Sequence, residues 1–126
     1  MIALGVNDVT SGMSKLVWLR RQAALHRLLR QKFGVRHIYV SGLPPVAKFP
    51  LLPRLMQFVL GAEAVRFDAA LEKLAIDQSD MTHVAFDLPF DPDLMATDGF
   101  HPGPDVYRAW AEILADLIIR DFELDR

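Results

Sequence analysis

Cysteine is absent from the 126 residues. That excludes a disulfide framework and a thiol nucleophile, and it is compatible with the cytoplasm, the expected location. Positive charge is not in excess: 14 Lys and Arg stand against 16 Asp and Glu, a formal net charge of −2. No overall basic field therefore points to a nucleic-acid partner. No apolar run approaches membrane-spanning length, so no membrane span is expected. Met1 leads straight into Ile2-Ala3-Leu4 without the basic residues that open a signal peptide. No glycine-rich phosphate loop follows any predicted strand, which counts against a flavodoxin-like module binding a nucleotide or phosphate. The histidines, His26, His37, His83 and His101, lack zinc-ligand spacing. Asp87, Asp91 and Asp93 lack the glycine and terminal glutamate of a calcium loop. No metal and no organic cofactor is implied. Repeats and low-complexity segments are also missing.

What is there builds one α/β domain spanning residues 1–126. The composition is 52% hydrophobic, enough for a real core. Ile2-Ala3-Leu4 reads as a short buried strand of a parallel sheet, ended by Gly5. Gly5-Val6-Asn7-Asp8 follows at the strand's C-terminal end, where open α/β sheets place ligands, and Thr10-Ser11-Gly12 continues the loop. Ser14 is a candidate cap for a helix running to Phe33, with Gly34 as its stop. Val17, Trp18, Ala24, Leu25, Leu28 and Leu29 make its apolar stripe. Its cations, Lys15, Arg20, Arg21, Arg27, Arg30 and Lys32, read as a solvated face, because no aromatic residues interleave with them.

A second strand is expected within Val35–Ser41, stopped by Gly42-Leu43-Pro44-Pro45. Val46, Phe49, Leu51 and Leu52 in the next loop suit either a pocket lining or packing under the following helix. That helix runs from Arg54 to about Gln78, with a break expected near Gly61. Val65, Ala69, Leu71, Leu74 and Ala75 form its buried side. Thr82–Phe86 is a third strand, and Asp87–Thr97 is a loop. Gly103-Pro104-Asp105 starts the last helix, which buries Val106, Trp110, Ile113, Leu114, Leu117 and Ile118. The alternation of strand and helix means βαβ units, a parallel sheet and helices on both of its faces.

Chemistry concentrates in Asp98-Gly99-Phe100-His101-Pro102. An acid three residues before a histidine can hold the imidazole in one tautomer, as a hydrolase's general base requires. Read alone, the same residues are a helix-start acid and a surface histidine.

A second segment changes the weight of the first. Gly5-Val6-Asn7-Asp8 and Asp98-Gly99-Phe100-His101 together resemble the Gly-x-Asn-Asp and Asp-x-x-His blocks of the SGNH (GDSL-type) hydrolases, a family of esterases and lipases. Ser41-Gly42-Leu43-Pro44-Pro45 is similar to that family's intervening segment. The resemblance implies a three-layer α/β/α, flavodoxin-like fold, entered here at its third strand. It implies ester hydrolysis by Ser-His-Asp acyl transfer on small acyl or lipid esters. His101 would be the general base and Asp98 its orienting acid. Asn7 would donate to the oxyanion, Gly5 would allow the tight turn below it, and Asp8 would anchor the loop. The family's Gly-Asp-Ser nucleophile block and a second glycine block have no counterpart in this sequence. Ser11, Ser14, Ser41 and Ser79 lie outside the nucleophile's position, Ser11 being the nearest in sequence to Asn7. The expectation is the later part of such an enzyme, its nucleophile supplied by an upstream segment. The alternative is a catalytically inactive fragment or self-associating module. In either case the strand holding Ile2 lacks an outer neighbour, and a homodimer through that uncovered edge is expected.

Overall fold

The computed structural model describes residues 1–88 and 91–124. Pro89, in the predicted 87–97 loop, lies outside them. The first departure from expectation comes at once. Val6–Thr10 is a short helix, α1, and not a continuing loop. Val9 drives it: this side chain is buried in the core, and its amide donates to the Gly5 carbonyl at 2.9 Å. Gly5 makes the bend with φ 145°, a conformation that L side chains rarely adopt.

The second helix, α2 (Lys15–Phe33), has the expected ends. The Ser14 hydroxyl accepts from the Val17 amide at 3.4 Å, and Gly34 closes the helix at φ 64°. Its buried face is the predicted one only in part. Trp18 is buried and Leu25 and Leu29 are half-buried as expected, but Val17, Ala24 and Leu28 are exposed, and Gln22 and His26 turn inward. Arg30, placed on the solvated side by its sequence, donates to Asp80 and Gln78 at 2.7 Å each. These bonds tie α2 to the turn before the second strand and set the helix's rotation. Burial pushes the His26 imidazole's pKa down, and the nearby Arg30 adds to that effect.

The strands β1 (Ile38–Ser41) and β2 (Met81–Val84) pair in parallel, with Ile38 opposite Met81 and Ser41 opposite Val84. β1 is buried along its whole length. On its other side Ile2 joins through a single bridge to Val40. The Ile2 amide donates to the Tyr39 carbonyl and the Ser41 amide to the Ile2 carbonyl, both at 2.8 Å. The predicted first strand is thus one bridge, and Ala3 and Leu4 are exposed where burial was expected. The turn at Gly5 carries the chain away before a second pair can form.

Successive residues of β1 point to opposite sides, as strand geometry requires. Ile38 and Val40 pack with Trp18 and with Phe67 and Leu71 of helix α3 (Arg54–Ile76). Tyr39 packs with Trp110 and Leu114 of helix α4 (Pro104–Leu124). The Tyr39 hydroxyl also donates to Asp121 at 2.8 Å, which fixes α4 against β1. Ile113, expected on the buried side of α4, is 38% exposed. The result is a mixed α/β arrangement around a small parallel sheet.

Helix α3 runs unbroken through Gly61. The glycine is there for contact: a Cβ on it would lie 2.6 Å from the Ala47 Cβ and 2.9 Å from the Ala47 Cα. Ala47 belongs to the 3₁₀ turn Val46–Lys48, whose Val46 is buried, as is Phe49 just after it. Those two therefore pack beneath α3, while Leu51 is exposed. Val65 and Ala69, predicted to be buried, face outward because Gly61, Ala64, Phe67, Leu71 and Ala75 form the inner face. Gly61→Ala should lower unfolding free energy by about 1–3 kcal/mol despite alanine's better helix propensity. Urea unfolding checks this, and an unchanged midpoint would show that the turn yields freely.

Candidate active site

The turn before α4 is built by Asp98. Its Oδ1 accepts from the amides of Phe100 and His101, each at 2.9 Å. Gly99 takes φ 66°, and its carbonyl accepts from the Leu51 amide at 3.2 Å. The Ala96 amide donates to the His101 carbonyl at 2.8 Å, and Met95 bridges Pro102. The loop thus grips both ends of the Asp98–His101 segment. Phe100 seats it on the core, edge-on against Phe49 with ring centroids 5.3 Å apart.

Within that turn the remaining Asp98 oxygen, Oδ2, lies 2.6 Å from His101 Nδ1. The His101 ring, followed by the two amide donors, holds the Asp98 carboxyl at about 2. Asp98 is therefore ionised at neutral pH and can only accept. In the neutral ring Nδ1 must therefore carry the proton, with the lone pair on Nε2. That is the tautomer of a general base. Both side chains are about half exposed, so water or a substrate can reach them.

His101 and Asn7 line one cavity of about 320 Å³. Gly5 and Asp8 line it on the Asn7 side, and Phe100 and Pro102 on the other. Ser41, Gly42, Phe86 and Trp110 complete much of its wall. The lining is mostly apolar, with a few polar groups, the general form of a small-molecule site. Asn7 stands in the first turn of α1, exposed, with its backbone carbonyl bonded to the Ser11 amide at 3.0 Å. Its position is set from below: a Cβ on Gly5 would lie 3.2 Å from the Leu43 side chain, so the two are in close contact. Asp8 ties the loop through its carbonyl, which accepts from the Ser11 hydroxyl at 2.9 Å and the Met13 amide at 3.1 Å.

All four predicted site residues, Gly5, Asn7, Asp98 and His101, are thus in or beside one cavity. Two features were not anticipated. Phe86 and Trp110 contribute its walls, their rings 5.0 Å apart. Below it, His83 Nε2 meets Asp68 Oδ1 at 2.9 Å, and the same oxygen accepts from the Leu43 amide at 2.9 Å. Burial opposes ionisation of Asp68, but the His83 and Leu43 bonds outweigh it and hold the carboxyl below its usual range. This pair fixes the Leu43 that supports Gly5. A polar residue within the inner half of α3 was the available signal.

The serines divide clearly. Ser14 is the α2 cap. Ser11 is exposed and does not line the cavity. Ser41 does line it, but is buried and donates its hydroxyl to the Gly42 carbonyl at 3.0 Å. Among the described residues no cluster of three acidic or histidine side chains could hold a metal ion. No family model, no curated protein and no solved structure matches this chain.

Proposed function

We propose that the chain carries the base and oxyanion side of a serine ester hydrolase of the SGNH (GDSL-type) kind. One observation supports this above the others: His101, held by an ionised Asp98, and Asn7, remote from it in sequence, line the same mostly apolar cavity. In this reading a serine hydroxyl, brought by a segment outside these 126 residues, attacks the ester carbonyl. Its proton passes to His101 Nε2, and Asp98 stabilises the imidazolium. The Asn7 side-chain N–H donates to the oxyanion. Collapse of the tetrahedral intermediate breaks the ester C–O bond, and His101 returns the proton to the leaving alcohol. Water, activated by the same base, then releases the acid. A cavity of about 320 Å³ with apolar walls suits a small acyl group or one end of a lipid ester.

The same reading extends the sheet into a three-layer, flavodoxin-like α/β/α fold. Its growing edge is the Ile2 side of β1, where Met1, Leu4, Leu25, Leu29 and Val35 line an apolar groove. Further strands, or in their absence a second copy of the chain, would add there.

The isolated chain should hydrolyse p-nitrophenyl acetate very poorly and should not be labelled by a serine-directed phosphonate. Mass spectrometry of the treated protein checks this. Stoichiometric labelling lost on Ser11→Ala or Ser41→Ala would put the nucleophile inside the chain. A folded chain that remains inactive when its upstream serine is present would favour the non-catalytic, self-associating module.

A further inference from the structure

His26 stands apart from the other histidines. The residue is 0% exposed, and neither Nδ1 nor Nε2 has a hydrogen-bond partner in the chain. The other three are provided for. His83 and His101 face the carboxylates of Asp68 and Asp98 at 2.9 and 2.6 Å, and His37 meets the Thr82 hydroxyl at 2.9 Å. Both carboxyls are held below their ordinary range, so each can receive a charged ring.

The surroundings of His26 offer a charge no such acceptor. Ile38 and Val40 of β1, and Phe67 and Leu71 of α3, which pack with Trp18 on this side of the sheet, are apolar. Gln22, one turn earlier on α2 and also buried, makes no bond to the ring. Arg30, one turn later, is a cation. Asp80, in the turn before β2, is the one acid that acts on the ring, and both of its oxygens are engaged by Arg30. A neutral imidazole can be buried here, but a charged one has nothing to pair with. Arg30 in turn holds the Asp80 carboxyl below its usual range, so the link between them survives mild acid.

We propose that His26 is an acid-sensitive latch: neutral, it lets α2 lie on the sheet, and protonated it releases the helix around Trp18 while Arg30 stays tied to Asp80. The released imidazole binds its proton in the ordinary histidine range, and the packed ring only at lower pH. Packing is therefore lost as pH falls from the first toward the second. Only residues 11–14 separate α2 from the Asn7-bearing α1, so that side of the cavity is the nearest neighbour of the motion. The inference does not rest on the esterase reading, since no turnover is needed to observe it.

In a Trp110→Phe variant Trp18 is the only tryptophan and reports on the latch. Between about pH 7 and about pH 5 its emission should move to the red while the helical far-ultraviolet signal is kept. Urea unfolding supplies the magnitude. Over the same range the unfolding constant of the parent should rise by about tenfold more than that of His26→Leu or His26→Gln, neither of which takes up a proton there. If neither variant folds, the titration of the His26 ring in the parent, followed by nuclear magnetic resonance, decides. Its midpoint should lie below that of histidine in a short peptide. An emission unchanged down to about pH 5, an equal acid dependence in parent and variants, or a midpoint at or above the peptide's would overturn the proposal.

Discussion

His101→Ala is expected to lower kcat for ester hydrolysis by about 10⁴-fold or more in a form of the protein that carries its serine. The size follows from the role. Without the imidazole the site loses the group assigned to take the serine proton and to protonate the leaving alcohol. Asp98 does not substitute: the variant removes the main cause of its lowered pKa, the His101 ring, but its Oδ1 stays on the two amides and even an unperturbed carboxylate is a weak base at neutral pH. KM should change little, since His101 acts on protons moving in the transition state. Asp98→Asn, which preserves size, should also reduce kcat, because an amide can hold the ring in the wrong tautomer. Steady-state kinetics on p-nitrophenyl butyrate separates the two constants. A variant with kcat near the parent's would remove His101 from the chemistry.

Asn7→Ala should cost about 10²–10³-fold in kcat, again with little change in KM. An amide N–H aimed at the oxyanion is worth most when the carbonyl oxygen is fully charged. Asn7 is exposed, so the substitution should leave the fold intact. Asn7→Asp makes a sharper contrast: it places a carboxylate where the negative charge develops and should be at least as damaging. If Asn7→Ala raised KM and spared kcat, the residue would be a ground-state contact and not an oxyanion donor.

The ends of the long helices were legible because they depend on local chemistry. Ser14 offers a cap oxygen, Gly34 accepts a left-handed backbone, and Pro104 fits a first turn. The faces were less legible. On α2 the sequence offers Val17 and Leu28, but the Arg30 bonds to Asp80 and Gln78 turn Gln22 and His26 inward. On α3 Gly61 looks like a breaker until Ala47 is found against it. The helix over Val6–Thr10 is too short to show a period, and tertiary packing of Val9, with Val6 beside it, supports it. At the site, the Asp98–His101 pairing could be read from spacing, since both ends lie in one turn. The walls at Phe86 and Trp110, and the Asp68–His83 pair beneath Leu43, depend on contacts between distant segments.

On the proposed reading, the cavity beside Asn7 and His101 is one side of an ester-hydrolysis site whose serine comes from outside these 126 residues. Turnover of p-nitrophenyl butyrate by the chain expressed together with the in-frame coding sequence preceding Met1 decides the matter. That sequence should encode Gly-Asp-Ser, the longer protein should hydrolyse the ester, and His101→Ala should abolish the reaction. A preceding sequence without such a serine, or an active longer protein indifferent to His101→Ala, would contradict it.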